Sequence, residues 1–353
     1  MKCINCGGML RYDPSTYGLL CDHCGFKKIL HRPEEQVIVE EKDFDSAMRD
    51  AVYDWGVMRR EVRCKVCGAI TFYDPNMIST TCPYCGSNDV LTASETNAGI
   101  APSAVIPFKI SKQEAVDFFY KWNKWALWCP EEFRKGRFLE NYTGVYVPYW
   151  TFDAESVTTY SGKFGYERGS GDSTYTKWEN RSGVVQESFN DRPICGSRKF
   201  LNNPLITKGI VTLNPKDIVP YNPEALMGFA AEKYSIGIDE AWNMVKGNLN
   251  RDHMYAACKN EFADSYDKNI QMSTEYSNIR FKYVLVPLWI SACRYKGKVY
   301  NVVCSGSELR GNCNRPVSVA KIVALCIGVV GIITLPVVLY SLLIIIMNLA
   351  RLF

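Results

Sequence analysis

The sequence predicts a mixed fold: two small tandem ribbons built on cysteine pairs, an α+β body with an antiparallel sheet, and a C-terminal transmembrane helix. Four C-x2-C pairs lie in the first hundred residues, runs rich in β-branched and aromatic residues fill residues 104–310, and an apolar stretch lies near the C-terminus. A chain of 353 residues with 47% hydrophobic and 22% charged residues can build a core, which excludes a wholly disordered or collagen-like protein.

An internal repeat organises the N-terminal part. Both copies read C-x2-C-x14-C-x2-C, offset by 61 residues, and each contains a Tyr-Asp-Pro sequence at the same place, starting at Tyr12 and at Tyr73. Such a fixed period indicates duplicated modules. Apolar residues at helical spacing between Asp43 and Met58 predict an amphipathic helix. The predicted segments are ribbon 1 (1–30), a linker with that helix (31–61), ribbon 2 (62–91) and a second linker (92–103).

The cysteine pairs indicate metal binding. A C-x2-C pair places two thiolates on one tight turn, and two such turns complete the tetrahedral sulfur shell typical of zinc. Four thiolates leave no position for water, so we predict two structural Zn²⁺ sites, with a rubredoxin-like iron centre as the alternative. The predicted ligands are Cys3, Cys6, Cys21 and Cys24 in ribbon 1, and Cys64, Cys67, Cys82 and Cys85 in ribbon 2.

The sequence contains few of the residues that an enzyme needs. Its histidines are His23, His31 and His253, and it has no G-x-S-x-G, H-E-x-x-H or phosphate-loop motif. We predict a non-enzymatic protein without catalytic or cofactor-binding residues; Cys258 with His253 is the remaining enzyme hypothesis, and His23 is an alternative ligand in ribbon 1. We expect the seven other cysteines to be buried apolar residues: Cys129, Cys195, Cys258, Cys293, Cys304, Cys313 and Cys326.

Charge and cysteine usage favour a cytoplasmic chain that does not bind nucleic acid. An odd number of cysteines, fifteen, without an apolar signal segment after Met1 favours a reducing compartment. Residues 1–100 contain 11 Lys and Arg against 14 Asp and Glu, a net charge of −3. Two four-cysteine zinc sites make this part more negative, and such a surface repels a phosphate backbone.

The apolar stretch predicts a membrane anchor. Residues 322–347 contain no Asp, Glu, Lys or Arg, and a helix of this length reaches about 39 Å, more than the roughly 30 Å of the hydrocarbon layer. We predict a single-pass helix at 320–348, kinked at Pro336. Arg310, Arg315 and Lys321 precede the span and Arg351 follows it, so the bulk of the chain is expected on the cytoplasmic face of the cell membrane.

Residues 104–310, which we call the body, are predicted to form an α+β domain with a weak internal duplication. The related sequences at Val105 and Ile218 each precede a predicted helix, over 112–128 and 223–234, and Val-Pro-x-Trp occurs at Val147 and Val286. Pro148 and Pro287 should start or bend strands. Antiparallel strands are predicted at 144–152, 156–166, 173–189, 270–281, 283–294 and 297–304.

Aromatic and basic residues alternate over residues 112–137. The aromatic residues Phe118, Phe119, Trp122, Trp125 and Trp128 lie among six lysines and arginines. We favour packing of the aromatic rings in the core. The alternative is a basic amphipathic helix that lies on anionic lipid.

The order of these features resembles a known family. Two ribbons, the segments Val105 to Ala115 and Gly144 to Ala154, the sequence from Val286 to Trp289 and a terminal membrane helix together resemble the bacterial TFIIB-type zinc-ribbon membrane proteins of the YdjG kind. The resemblance spans nearly the whole chain. It implies PspA-like, TPM-domain or SPFH-domain partners in envelope stress, places zinc on the eight cysteines above and supplies no catalytic residue.

Two functional hypotheses follow. The first is a non-enzymatic, membrane-anchored zinc-ribbon adaptor or scaffold on the cytoplasmic face, with the lipid bilayer and other proteins as its partners. Tethering raises the local concentration of partners at the bilayer, so modest contacts suffice. The alternative is a zinc-ribbon nucleic-acid-binding protein linked to replication or transcription, against which the acidic ribbon part and the missing phosphate loop count.

Overall fold

A computed structural model gives the fold for most of the chain. It describes residues 1–30, 39–46, 55–56, 59–73, 81–92, 100–124, 126–136, 139, 141–201, 209–267 and 269–350. The helix predicted between Asp43 and Met58 lies largely outside these residues, and Trp125 lies outside them as well. Where that helix was expected to begin, the structure has a short strand that ends at Asp43 and a turn over residues 44–46.

Each ribbon is built from short antiparallel strands. In ribbon 1, β2 (Gly18–Cys21) lies between β1 (Leu10–Asp13) and β3 (Lys27–Ile29). Of the later strands, β4 (Lys42–Asp43) belongs to the linker. In ribbon 2, β5 (Arg60–Cys64) lies between β6 (Ile70–Tyr73) and β7 (Val90–Thr92). The repeat in the sequence is therefore also a repeat of strand–turn–strand structure.

Three long strands form the centre of the body. β9 (Thr143–Arg168) lies between β10 (Tyr175–Cys195) and β14 (Gln271–Tyr295) and is antiparallel to both. The predicted strands 144–152 and 156–166 are one continuous strand, and so are 270–281 and 283–294. Register shifts after Phe189 and after Ser277 mark bulges, which disturb the pairing without ending the strands.

The remaining elements attach to this centre. β8 (Ala104–Val105), β15 (Lys298–Ser305) and β4 pair with β14; β12 (Ala230–Glu232) and β13 (Ser265–Tyr266) pair with β9; β11 (Val219–Pro220) pairs with β8, and β16 (Gly311–Cys313) with β15. The helices are α1 (Lys112–Asn123), α2 (Glu131–Arg134), α3 (Arg198–Leu201), α4 (Ile238–Asn260) and α5 (Val319–Ala350). The body is α+β with a mainly antiparallel sheet, as predicted, and β8–β14 and β12–β9 are short parallel pairings.

The prolines of the two Val-Pro-x-Trp sequences lie inside β9 and β14. Of the two predicted roles, a strand start or a bend, the strand start is therefore excluded. Proline removes a backbone donor but keeps its acceptor. The carbonyl of Pro148 accepts a hydrogen bond from the N–H of Gly196, and that of Pro287 accepts one from Gly306, both at 2.8 Å. A Cβ on Gly306 would lie 2.7 Å from Pro287, so this close approach requires glycine.

The tryptophans of the same sequences bind the chain just ahead of the two long body helices. Trp150 Nε1 donates to the carbonyl of Ile236, two residues before α4, and Trp289 Nε1 donates to the carbonyl of Ile110, two residues before α1. Both distances are 2.9 Å. The β9–β14 pair therefore positions the starts of both helices by the same kind of bond, from two tryptophans that lie in one core.

The body helices differ from prediction at their ends. α1 begins where predicted, because Ser111 and Glu114 form a capping box, but it ends at Asn123 rather than residue 128. The prediction of a helix over 223–234 is wrong. The chain makes one 3-10 turn, Pro223–Leu226, and then forms β12. Pairing of β12 with both β9 and β6 overrides the local preference for a helix.

The ribbons contribute mainly to different cores of the body, although Phe72 of ribbon 2 lies in the same core as ribbon 1. Tyr146 and Trp150 of β9 belong to one core, while Val145 and Val147 belong to the other, because successive strand residues point to opposite faces. Buried residues of ribbon 1 join the first core, and the buried cysteines of ribbon 2 join the second. In addition, β6 pairs with β12, so ribbon 2 extends the central sheet.

Tyr12 holds ribbon 1 on the body. Its side chain is 1% exposed, its hydroxyl donates to the carbonyl of Phe108 at 3.3 Å, and its N–H donates to the carbonyl of Met227 at 2.9 Å. An ion pair between Lys28 and Glu224, 2.7 Å long, lies at the same contact. The equivalent tyrosine of ribbon 2, Tyr73, is also buried.

The C-terminal helix is long and apolar enough to span a membrane. Within α5, Val319–Ile344 has 26 residues with a mean hydropathy of 2.9, and none of it is buried against the protein. The hydroxyls of Thr334 and Ser341 donate to carbonyls one turn back, Val330 and Val337, which satisfies them without water. Among the described residues it is the single candidate span, and it supports a single-pass membrane protein.

We expect Tyr12→Ala to loosen ribbon 1 without removing its metal ligands. Loss of a buried ring costs about 3–5 kcal/mol, so amides of residues 1–30 should exchange faster while the cysteine site persists. Hydrogen exchange with mass spectrometry checks this, and Ile29→Ala, at a side chain that is 76% exposed, is the control on the same ribbon. Unchanged exchange in residues 1–30 of the Tyr12 variant would show that Tyr12 does not hold the ribbon.

Candidate metal centres

All four cysteine pairs adopt the same turn. The N–H of the glycine after each pair donates to the carbonyl of the first cysteine at 2.9 Å: Gly7 to Cys3, Gly25 to Cys21, Gly68 to Cys64 and Gly86 to Cys82. Each of these glycines has a positive φ, between 65° and 74°, where a side chain is strained. In ribbon 1 the N–H groups of Asn5 and Gly8 also donate to sulfur, both at 3.4 Å. This turn brings the two sulfurs of a pair, and N–H groups that bond to them, to the same side of the chain, where a metal ion could bind.

The turns bring the eight predicted cysteines into two groups of four sulfurs. We call Cys3, Cys6, Cys21 and Cys24 site 1, and Cys64, Cys67, Cys82 and Cys85 site 2; within each site the four sulfurs lie within 4.8 Å of one another. Their closest Sγ–Sγ distances are 3.6 and 3.5 Å in site 1, and 3.6 and 3.7 Å in site 2. A tetrahedral zinc with Zn–S bonds of about 2.3 Å separates its sulfurs by about 3.8 Å. Both groups therefore fit a structural metal ion, and His23 belongs to neither.

The two sites differ in exposure. Site 1 reaches the surface, since Cys3 and Cys21 are buried but Cys6 is exposed. Site 2 is enclosed between ribbon 2 and the body: Cys64, Cys82 and Cys85 are buried and Cys67 is half-buried. A metal in site 2 is therefore better shielded from chelators and water than one in site 1.

A lysine of the body binds a cysteine of site 2. Lys199 Nζ, on α3, lies 2.9 Å from Cys67 Sγ and 4.9 Å from the centre of the Tyr84 ring. A zinc ion with four thiolates has a net charge of about −2, and the ammonium offsets part of it. No sequence pattern predicts this contact, because 132 positions separate the two residues.

One thiol in each site ionises readily. The hydrogen bond from Cys82 lowers the pKa of Cys67 to about 4, and Lys199 acts in the same direction. In site 1, hydrogen bonds from the Phe26 backbone and the Asn5 side chain lower the pKa of Cys24 to about 6. Because the thiolate is the form that binds metal, each site offers at least one ready ligand at neutral pH.

A buried carboxyl group connects site 2 to the body. Glu232 of β12 is 3% exposed and accepts hydrogen bonds from the hydroxyls of Tyr84, at 2.7 Å, and Ser197, at 2.6 Å. Burial raises the pKa of Glu232 to about 7, since desolvation disfavours the charged form. Tyr84 lies inside the second cysteine pair of ribbon 2, so this group fixes that pair against β12.

The hydrolase hypothesis receives no support from the positions of its residues. His253 is buried, and its two ring nitrogens lie 2.8 Å from a Glu187 oxygen and 3.1 Å from the Tyr276 hydroxyl. The thiol of Cys258 donates to the carbonyl of Ala263 at 3.1 Å. His253 therefore has two other partners in the core, and Cys258 bonds to a backbone carbonyl.

The expectation that all seven remaining cysteines are buried is partly wrong. Cys129, Cys195, Cys258 and Cys304 are buried, Cys293 and Cys313 are half-buried, and Cys326 is exposed on α5. An apolar helix without a protein partner exposes its small residues as well as its large ones, which explains Cys326. All seven are free thiols.

An acidic cluster in the body is partly neutralised by a lysine of the protein itself. Glu41, Asp153 and Asp191 lie together, and the buried Lys282 ammonium lies 2.8 Å from Glu41 and 2.6 Å from Asp191. Burial, together with the hydrogen bond to Glu41, raises the pKa of Asp153 to about 6. Lys282 supplies the cation, so this cluster is an ion-pair network of the core.

Comparisons with known proteins identify one relative. The chain is 27% identical over 336 residues to a protein of Bacillus subtilis (strain 168) named "Uncharacterized protein YdjG", and the alignment covers 94% of each chain. No protein-family model matches the chain. No solved structure matches it either. An alignment of this length covers nearly the whole chain, as the resemblance implied.

We expect Lys199→Met to speed the loss of metal from site 2 alone. A hydrogen bond from a charged donor contributes roughly 1.5–3 kcal/mol, so release to a chelator should become roughly ten- to hundredfold faster. Zinc release from the detergent-solubilised full chain, followed with a chromogenic chelator, checks this. Site 1 is the internal control and Lys177→Met the remote one; acceleration of both sites, or of neither, would contradict the role of Lys199.

We expect Glu232 to make stability fall as the pH rises. Its pKa is about 7 in the folded protein and near 4.3 when unfolded, so the folded state binds the proton more tightly and loses stability from about pH 4.3 to above 7. Between pH 6 and 8 this amounts to about 1 kcal/mol. Urea unfolding of the zinc-loaded protein should show a flatter pH dependence in Glu232→Gln and no change in the exposed Glu275→Gln. Equal slopes in all three proteins would refute this assignment.

Proposed function

We propose that the protein is a non-enzymatic, membrane-anchored zinc-ribbon adaptor that recruits protein partners on the cytoplasmic face. The observation that carries the proposal is the pair of closed four-sulfur sites on a chain that ends in an unburied apolar helix. A four-sulfur site leaves no position for substrate, so zinc would stabilise the ribbons and perform no chemistry. The apolar helix would hold them at the bilayer.

Ribbon 1 is the better candidate for partner recognition. Four of its apolar side chains are exposed: Met1 by 54%, Ile4 by 86%, Met9 by 41% and Ile29 by 76%. A small module that already packs one side against the body gains nothing for its own stability from apolar residues in water. Exposed apolar side chains on a rigid support are typical of protein-binding surfaces.

Zinc is the metal that we propose for both sites, with iron as the alternative that the same ligands permit. The similarity to YdjG of Bacillus subtilis supports membership of a YdjG-like group. PspA-like, TPM-domain and SPFH-domain partners, and a role in envelope stress, extend the proposal by the resemblance described above. The orientation with the ribbons in the cytoplasm extends it by the positive-inside rule.

We expect the exposed isoleucines of ribbon 1 to be needed for partner binding. In membranes cross-linked before detergent extraction, the wild-type chain should recover PspA-like, TPM-domain or SPFH-domain proteins. The double variant Ile4→Asp, Ile29→Asp should recover about tenfold less, since loss of apolar anchors costs on the order of 1–2 kcal/mol. Phe262→Asp, at a body residue that is 90% exposed, is the matched control, and quantitative mass spectrometry is the measurement.

Two outcomes would overturn the proposal. Recovery of replisome or polymerase subunits, together with tight binding of the full chain to short DNA and a steep salt dependence, would favour the nucleic-acid-binding alternative. Equal recovery of partners by the ribbon 1 variant and the wild type would remove ribbon 1 from recognition.

A further inference from the structure

A loop of the body is bonded directly to the start of the apolar helix. We call residues 126–130 the anchor loop. The N–H of Ser318, one residue before α5, donates to the carbonyl of Trp128 at 2.8 Å. Lys321 Nζ donates to the carbonyls of Cys129, at 2.7 Å, and Leu127, at 3.3 Å. The first turn of α5 and the anchor loop are therefore one unit.

Further contacts stiffen the segment that leads into α5. The thiol of Cys129 donates to the carbonyl of Pro316 at 3.3 Å, and the guanidinium of Arg315 lies 3.9 Å from the centre of the Trp122 ring. These contacts cover the residues just before the helix. The body is thus joined to α5 by a bonded segment and not by a free linker.

The length of α5 sets the depth of the anchor loop. The candidate span Val319–Ile344 has 26 residues, with Lys321 in its first turn. It reaches about 39 Å, whereas the hydrocarbon layer is about 30 Å thick and the bilayer with its headgroups about 40–45 Å. When the middle of the helix lies at the bilayer centre, Val319 lies in the headgroup layer. Since the anchor loop is bonded to that first turn, it lies at the same level.

The side chains of the anchor loop suit this layer. Leu127 is 60% exposed and Trp128 is 44% exposed, although Phe119 and Phe133 beside them are buried, so the earlier expectation of core packing holds for part of the segment only. Tryptophan is enriched at the membrane–water interface, where its ring is apolar and its N–H remains wet.

The charges around the anchor loop are mostly positive. Lys121, Lys124, Arg134 and Lys135 are exposed, and Arg315 and Lys321 lie at the start of α5. Glu131 and Glu132 are the acidic residues on α2, and Glu131 forms an ion pair with Lys135 at 3.0 Å. Basic residues beside a membrane helix are attracted to anionic lipid headgroups.

We infer that the anchor loop is a second membrane contact, in which Leu127 and Trp128 insert into the lipid headgroup layer beside α5. This inference rests on the proposed membrane anchoring and goes beyond it, because it fixes how the body sits on the bilayer. With α5 and the loop both in the membrane, the body cannot turn freely about a single tether. The ribbons then face partners from a defined side.

Brominated lipids test this contact in the full chain. α5 contains no tryptophan, so quenching of tryptophan emission by phosphatidylcholine brominated high on its acyl chains reports the body at the bilayer surface. We expect the wild-type protein in nanodiscs to be quenched, and Trp128→Phe to lose more than about half of that quenching. Trp178→Phe, at a residue of β10 that is 49% exposed, should retain it.

A second variant and a second lipid mixture make the result decisive. Leu127→Asp leaves all tryptophans in place but should lift the loop and reduce quenching, because an aspartate resists transfer from water. Phosphatidylglycerol in the nanodisc should increase quenching of the wild type through the basic residues. Absence of quenching, or equal quenching in the Trp128 and Trp178 variants, would overturn the inference.

Alkaline carbonate extraction separates this inference from the proposed anchor. A chain that resists extraction but shows no quenching retains its helix anchor and lacks only the second contact. A chain released by carbonate refutes the anchor itself. Zinc content and far-UV circular dichroism of each variant establish that the fold is retained, so a loss of quenching reports the position of the loop.

Discussion

The antiparallel pairing of β9 with β14 is the constraint on which the rest of the structure depends. The two Val-Pro-x-Trp sequences pair at its centre, and each tryptophan holds the chain just before a helix, at Ile236 or Ile110. Each proline receives a glycine N–H from the strand that returns beside it. The same glycine-to-proline backbone hydrogen bond therefore occurs once on β9 and once on β14. Strands β8 and β12 pair with the outer edges of this pair, and β12 connects ribbon 2 to it through β6.

The ribbons depend on this centre in different ways. Neither is large enough for a core of its own, and binding of a structural zinc is worth roughly 10–16 kcal/mol in small modules. Ribbon 2 adds a sheet connection through β6 and β12 and a polar one through Tyr84 and Glu232. Ribbon 1 keeps its own sheet and rests on the body through Tyr12. Its metal site is also the more exposed of the two. This division suits the proposed adaptor, with ribbon 2 as part of the support and ribbon 1 as the surface presented to partners.

Charged groups in and near the body are compensated by side chains from distant parts of the chain. Lys199 approaches a site that would carry a negative charge, and Lys282 pairs with Glu41 and Asp191 of the acidic cluster. Buried charges of this kind are stable only when partners are close, since desolvation is costly. Glu232 accepts its hydrogen bonds from the neutral hydroxyls of Tyr84 and Ser197, and burial raises its pKa despite the nearby charge of Lys199. The proposed membrane contact places the basic residues around the anchor loop, such as Lys121 and Arg134, near anionic lipid headgroups.

The sequence by itself determined the two groups of four cysteines that could hold a metal ion, the α+β class with most of its strands, and the apolar helix. These features are local: a C-x2-C-Gly turn, an alternation of side chains or an uncharged run is complete within a few residues. Only the tertiary structure decided that Pro148 and Pro287 continue their strands, that residues 230–232 form a strand where a helix was expected, and that ribbon 2 extends the body sheet. It also brought Lys199 to Cys67 and Trp128 to Ser318. Each of these depends on a partner far away in the chain, and the energy of such pairing exceeds the weak local preferences from which the sequence is read.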